Sequence, residues 1–344
     1  MVKRIPGWAL AVAAAVVVAG AADAALFLTT GSKHATASGP PQEGVAVVDA
    51  RSGHLVGRVT VGRQPTEVMS DGGAVWVLNK SDGSVSRIDP RTRRVVRTFH
   101  LPEPTDGMTL GDGSLWVTGH GRLSTFTPQN PHGTTTVRRL DAANDSLLGT
   151  VRLKTGGALI AEGAGALWTT GFVQGDVRRG GRANARTGQL SVLDDRIFGD
   201  LVAANDDSAY YVTSLGARVQ RVDSRTGRLV RSLSLADVHD LIKGKLPPNP
   251  TGVTLADHAL WLSQTDGTVL RIDLALSHIE RTIKACTNAV AIGAGDGAVW
   301  TACADGTAVR IDPATDRAGT PIALGGGVPR GIAAGGGSVW VTVN

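Results

Sequence analysis

Three carboxylates and one guanidinium carry the most chemistry per residue in this chain. Glu67, Asp106 and Asp200 each stand at the start of an apolar, strand-like segment, and Arg330 does the same. Thr66, Thr105, Thr251, Thr287 and Asn288 occupy neighbouring places on equivalent segments. Oxygen donors of this kind, brought to one point, can hold a hard divalent cation such as magnesium or calcium, with Glu67, Asp106 and Asp200 as its ligands. Arg330 would instead neutralise one of the acids in an ion pair. If the segments do not converge, the same side chains make only a hydrated polar funnel. Cys286 and Cys303 are the two cysteines of the 344-residue chain. They flank a hairpin that turns near Gly295 and Asp296, which sets the sulfurs nearly opposite each other. In an oxidising compartment they would pair as a disulfide; slightly out of register, they would remain two thiols.

The segments that position these residues repeat. Seven times a short strand carries an aromatic residue: Trp76, Trp116, Trp168, Tyr211, Trp261, Trp300 and Trp340. Seven times a later strand ends in a turn acid or amide: Asp49, Asp89, Asp141, Asn184, Asp223, Asp273 and Asp312. Self-similarity at roughly 40–52 residues, with alternating apolar strands between Gly, Asp and Asn turns, is the pattern of a β-propeller, one four-stranded blade per repeat. Strands A to D of each blade follow in order, with the aromatic on B and the acid closing C. Residues 45–53 read as a C–D pair lacking its A–B, and the chain ends at residues 340–344 in an A–B pair lacking its C–D. The fold class is therefore all-β: a seven-bladed propeller whose last blade is completed by both chain ends, leaving no open sheet edge.

One aromatic per blade on the same strand predicts packing between twisted sheets rather than a ligand cage. The turn acids predict Asx-type turns, since a carboxylate there can accept backbone N–H groups. Asn184 serves that role as well as Asp does, which argues against seven metal ligands. Two insertions depart from the period: residues 126–136 in blade 2, and residues 235–249, where 236–243 would form one or two helical turns. Such insertions often decorate a binding face. The glycine runs at 293–297 and 325–327 are turns rather than phosphate loops, because no helix pattern follows. Nucleophile elbows, His-Glu-x-x-His and paired-cysteine zinc spacings are absent from the sequence.

Residues 1–30 differ from the rest. Lys3 and Arg4 precede an apolar run over 5–22, interrupted by Asp23 and resumed to residue 28. The basic residues would hold the amino terminus in the cytoplasm. The run is long enough for a hydrophobic helix that spans a bilayer; small residues such as Ala19, Gly20 and Ala21 also allow cleavage as a signal peptide. In the first case the propeller is extracytoplasmic and membrane-anchored, and in the second it is secreted. Residues 31–43, rich in Ser, Thr, Gly and Pro, read as a flexible linker, leaving 44–344 for the propeller. Net charge is +5, with arginines scattered through turns. Scattered charge suits solvated outer strands, and without interleaved exposed aromatics it does not suit nucleic acid.

The stretch Val75 to Asn79, continued by Gly83-Ser84-Val85-Ser86-Arg87-Ile88-Asp89-Pro90 and Thr92, resembles the YVTN-type β-propeller repeat. Over residues 45–344 the chain is similar to virginiamycin B lyase-like propellers. That resemblance implies the propeller fold and an exported protein, and its lyase members hold a His/Glu set and a magnesium ion near the central channel. His100, His120, His239, His258 and His278 fall in outer strands, turns or insertions without a neighbouring Glu-x-His pair, so the set is not matched residue for residue. The expectation is an exported, membrane-tethered scaffold that binds a cell-envelope polymer, a peptide or a surface protein. The alternative is a metal-dependent lyase or lactonase-like enzyme with its site at the channel mouth.

Overall fold

The computed structural model describes residues 16–17, 43–120, 135–153, 156–173, 177–187, 189–194, 196–213, 218–236 and 247–344. Among these residues every regular element is a strand. The strands form seven antiparallel sheets arranged as the blades of a propeller. Blade 1 runs Pro65–Ser70, Val75–Asn79, Ser84–Asp89 and Arg94–His100 as strands A to D. Strands A of blades 2 to 6 are Thr105–Gly111, Gly156–Gly163, Leu201–Ala204, Pro250–Ala256 and Ala289–Gly295. Their strands B are Ser114–His120, Ala166–Val173, Ser208–Thr213, Ala259–Gln264 and Ala298–Cys303. Neighbouring blades meet through strands A, which surround the axis, while strands D form the rim. The outermost strand of blade 6 is split into Arg317–Ala318 and Ile322–Ala323.

Ring closure uses both ends of the propeller. Pro329–Gly335 and Ser338–Val343 supply A and B of blade 7, and Gly44–Asp49 and Leu55–Val59 supply C and D. Trp340 sits opposite Val47 across that junction. The closing blade is also tied forward, because the Thr342 hydroxyl donates to the Thr66 carbonyl of blade 1 at 3.2 Å. Apart from residues 16, 17 and 43, the expected apolar helix and the linker lie outside the described residues, as do residues 126–134 and the insertion at 237–246. Val16 and Val17 alone are described from the first 42, as a two-residue strand beside Val253 and Gly252.

The core is a set of inter-blade layers. Trp76 of blade 1 packs on Met108, Leu110 and Leu115 of blade 2. Trp116 packs on Ile160 and Leu167, Trp168 on Val202 and Ala204, and Trp261 on Ile292 and Val299, each in the next blade. Trp300 meets Ile332 and Val339, and Trp340 meets Val68 and Val75. All six indoles are at most 1% exposed. The sheets approach closely near the axis: a Cβ on Gly293 would lie 2.4 Å from the Ile332 carbonyl oxygen, so only glycine fits there.

Blade 4 corrects the sequence reading. Each indole lies directly across from a strand-C arginine in blades 1, 2, 3, 5 and 6, as Trp76 does from Arg87. In blade 4 the residue opposite Arg221 is Tyr210, not Tyr211. Tyr210 packs on Val253 and Leu260 of blade 5, and its hydroxyl donates to the Leu274 carbonyl at 3.1 Å. Tyr211 points to the other face, toward blade 3, where its hydroxyl donates to Gly181 at 2.9 Å. Side chains alternate along a strand, so a shift of one residue exchanges the two interfaces.

The turn residues act as expected from their type. Asp49 Oδ1 accepts from Ser52 N at 2.7 Å, and Asp89 Oδ1 from Arg91 N at 2.8 Å. Asn184 Oδ1 accepts from Thr187 N at 2.8 Å in the same geometry. Hydrogen bonds from the Ser52 backbone N–H and hydroxyl hold the Asp49 carboxyl below the usual carboxylate range. Cys286 and Cys303 are joined by a disulfide with Cα atoms 6.4 Å apart, tying the approach to blade 6 to the end of its strand B.

Removing the indole that locks the closing blade should be costly. Trp340→Ala is expected to lower unfolding free energy by about 3–5 kcal/mol, measured by urea denaturation. Reduction of the disulfide should cost about 2–4 kcal/mol in the same assay.

Candidate functional site: the two mouths of the central channel

The strands around the axis share an irregularity that the sequence does not signal. In blade 1 the pairing of strands A and B slips between Pro65 and Glu67, leaving Thr66 as the extra residue of a β-bulge. The same slip leaves Asp106, Thr251, Val290 and Arg330 as the extra residue in blades 2, 5, 6 and 7. Blade 3 repeats it at residue 158. In blade 4, Asp200 stands just before strand A and its N–H donates to the Val212 carbonyl at 2.7 Å. Thr66, Asp106, Asp200, Thr251, Val290 and Arg330 are all half-buried. A bulge re-aims a side chain while the flanking ladder stays intact. These residues thus hold one register at the mouth where strands A begin.

Glu67 stands one residue further along and in a different place. It is 3% exposed, and its Oε2 accepts from the Met108 N–H of blade 2 at 2.8 Å. It bridges blades 1 and 2 from within their interface. Asp106 and Arg330 occupy the bulge position, Asp200 stands at the equivalent place just before strand A of blade 4, and Glu67 does neither. Burial dominates the chemistry of Glu67 and pushes its pKa up to about 8; the Met108 N–H and Lys80 oppose that rise, and Asp106 adds to it. Near neutral pH this is a protonated carboxyl between two blades, able to donate as well as accept. Among the described residues, no three His, Cys, Asp or Glu side chains form a group able to hold a metal ion.

The opposite mouth is acidic, and the sequence reading passed over it. Asp71, Asp112, Glu162 and Asp206, from blades 1 to 4, line a cavity of about 450 Å³ together with Leu110, Asn205 and Leu255. Burial raises the Glu162 pKa to about 7, helped by the negative charges of Asp112 and Asp206. Gly111 makes room for that side chain, since a Cβ there would sit 2.1 Å from Glu162 Oε2. The signal was present as acids in or beside the A–B turns, where they read as ordinary turn residues. Of the histidines, His258 lies in an A–B turn, and His278 sits in a C–D turn with Nδ1 3.4 Å from Asp273. His100 ends a rim strand, His120 ends strand B of blade 2, and His239 lies outside the described residues.

Comparison with known proteins supports the architecture alone. No family model matches the chain, and no curated protein matches it. Among solved structures, it is similar to the β-propeller domain of Cps50 (Swd1) from Myceliophteria thermophila, with a TM-score of 0.61 and 12% identity over 83% of this chain and 97% of that one. It is also similar to the computationally designed protein Ika8, with a TM-score of 0.56 and 14% identity over 83% of this chain and 99% of that one. At such identities the likeness is one of fold.

The buried Glu67 carboxyl makes stability depend on pH. Between its ordinary value near 4.5 and its folded value of about 8, the folded chain binds more protons than the unfolded chain. Its contribution is therefore full below the lower value and is lost as pH rises through the upper one. Glu67→Gln should remove this loss, so the variant gains stability relative to wild type between pH 5 and pH 9 in paired denaturation curves.

Proposed function

We propose that this chain is an exported β-propeller, tethered to the membrane by residues 1–30, that serves as a binding scaffold at the cell envelope. Its partner is an envelope polymer, a peptide or a surface protein. Lys3 and Arg4 ahead of the apolar run support export, as does a disulfide between the two cysteines. The resemblance of its repeats to YVTN-type and virginiamycin B lyase-like propellers is consistent with that placement. The observation that carries the binding role is the ring of residues at the start of strands A, bulged in every blade but the fourth. Asp106, Asp200, Thr66, Thr251 and Arg330 hold one register on a rigid frame, with mixed charge and partial exposure. Such a frame fixes the donors and acceptors before a ligand arrives, which reduces the ordering cost of binding.

A metal-dependent lyase or lactonase-like activity at this mouth is the second reading. The observation in its favour is the shared register of Asp106 and Asp200, two half-buried carboxylates at the start of strands A in blades 2 and 4 that could serve as oxygen ligands. In that reading magnesium or calcium would be held by Asp106 and Asp200, with Glu67 close by.

Thermal-shift titration of the full-length chain tests both readings. Magnesium, calcium and a solubilised envelope polysaccharide serve as separate probes. A ligand that binds the folded state raises the melting midpoint in a concentration-dependent way. The expected result is a rise with at least one probe that is lost in the Asp106→Asn, Asp200→Asn double variant. A rise with a metal, reversed by chelation, favours the enzyme, and a rise with polysaccharide alone favours the scaffold. An unchanged midpoint with every probe, or a rise that survives the double variant, counts against this mouth as the site.

A further inference from the structure

The strand-C arginines differ in what satisfies them, and one difference is informative. Arg271 of blade 5 reaches into the C–D turn of blade 6, where its Nη1 contacts Asp316 at 2.9 Å and the Pro313 carbonyl at 2.6 Å. Its Nε also donates to Glu280 of its own rim strand at 2.8 Å. Arg87 of blade 1 reaches Asp145 of blade 2 in the same manner, at 3.5 Å. Asp145 and Asp316 each stand four residues after a turn acid, with φ of 63° and 56°. Arg310 of blade 6 is the counterpart of these arginines, opposite Trp300. Four residues after its neighbouring turn acid, Asp49, stands Gly53, with φ 70°. Where Glu280 follows the residue paired with Ile272, Gly319 follows the residue paired with Ile311. Arg271 Nη2 also meets Asp257 of its own A–B turn at 3.3 Å. Two of the three carboxylates around Arg271, Asp316 and Glu280, are thus glycine around Arg310, and the third, Asp257, has Asp296 as its counterpart. The Arg310 guanidinium makes no hydrogen bond or ion pair to a described residue.

The split rim strand of blade 6 leaves the region open. A cleft of about 510 Å³ is lined by Arg310, Trp300, Arg51, His54 and Thr320 among others. A second cavity of about 660 Å³ shares Arg51 and Arg310 with it. On that second rim Asp296 Oδ2 accepts from Gly337 N and Asp49 Oδ1 from Ser52, and neither carboxylate forms an ion pair with Arg310. The Trp300 Nε1 is buried without a partner. Blade 3 also pairs an arginine, Arg182, with a glycine in the next turn, Gly227. There Leu193 fills the space, 3.0 Å from where a Cβ would lie, and Arg182 stacks on Trp168 at 5.6 Å.

We propose that the cleft between blades 6 and 7 binds a small di- or tricarboxylate. One carboxylate takes the place on Arg310 that Asp316 takes on Arg271, and Arg51 and His54 meet the second. The planar guanidinium fork suits a carboxylate, and the two filled counterparts in this same chain use carboxylates. A cleft of this size takes a small molecule.

The experiment is isothermal titration calorimetry of the full-length chain in metal-free buffer, with citrate and with inorganic phosphate as probes. Citrate should bind saturably and more tightly than phosphate, and Arg310→Ala should weaken it by at least about tenfold. Gly53→Asp supplies the carboxylate from within, in a turn conformation that Asp145 and Asp316 already adopt. It should weaken citrate to a similar degree while raising the melting midpoint, a result that loss of folding cannot imitate. Absence of saturable citrate binding in the wild type, citrate binding undiminished by Gly53→Asp, or tighter binding of phosphate than of citrate would each overturn the proposal.

Discussion

Everything in this molecule depends on filling the wedge between adjacent twisted sheets. Strands twist with a fixed hand, so sheets set radially around an axis touch near the centre and diverge outward. Glycine and alanine allow the inner contact, as at Gly293 against the Ile332 carbonyl. The outer gap needs a large ring on strand B, and six indoles and Tyr210 supply it, each almost wholly buried. An indole buries far more apolar area than an aliphatic side chain, and loss of one leaves a cavity that neighbouring backbones cannot close. The ring of seven is also what makes the termini meet, since fewer filled wedges would leave the closing blade without a surface to pack on.

A second layer of interactions rides on the first. In blades 2, 3 and 5 the strand-C arginine opposite the indole lies over its face, at 4.9 Å for Arg139 on Trp116, 5.6 Å for Arg182 on Trp168 and 5.4 Å for Arg271 on Trp261. From there it can extend to the C–D turn of the next blade. The turn itself is set by its Asx residue, whose accepted N–H bonds leave the fourth following position in a left-handed conformation in blades 1, 2, 4, 6 and 7. Where that position is aspartate, the blades are latched by charge. Where it is Arg93, the polarity reverses, and its Nη1 donates to the Val56 carbonyl of blade 7 at 3.4 Å. The blade 7 strand C carries Val47 opposite its indole, so no second cation competes there. The latch is local electrostatics added to a wedge that packing has already closed.

Most of the architecture was legible because packing and turns leave periodic marks. The aromatic of strand B, the turn acid of strand C and the half-blades at residues 45–53 and ending at 340–344 all follow from repetition. What failed to show was phase at the level of one residue. Tyr210 and Tyr211 have nearly the same chemistry, and only the facing Arg221 shows which of them enters the blade 5 interface. The bulge that sets Asp106 and Arg330 in the register of Asp200 has no composition of its own, since Thr, Asp, Val and Arg all occupy it. Glu67 looked equivalent to the acids at that position because it lies one residue away, and one residue is the distance between a channel mouth and a buried interface. The acids of the opposite mouth were hidden for another reason. Aspartate in a tight turn is the commonest reading, and only the three-dimensional ring shows four blades contributing to one cavity.

In a repeat protein, the positions that agree among blades and those that differ answer different questions. Agreement at the indole, the Asx residue and the inner glycines follows from backbone geometry that each blade must satisfy. Disagreement at equal geometry is a different matter, because the fold is indifferent to it. The bulge position keeps its conformation whether it holds Thr66, Asp106, Val290 or Arg330, and the fourth turn position keeps its left-handed φ as Asp316, Arg93 or Gly53. Side chains at such positions can change without breaking the ring, and they face solvent-accessible space rather than the wedge. Chemistry that varies from blade to blade on an unvarying frame is therefore where recognition can be built. In this chain both of the positions that vary most border open space, one at the channel mouth and one between blades 6 and 7.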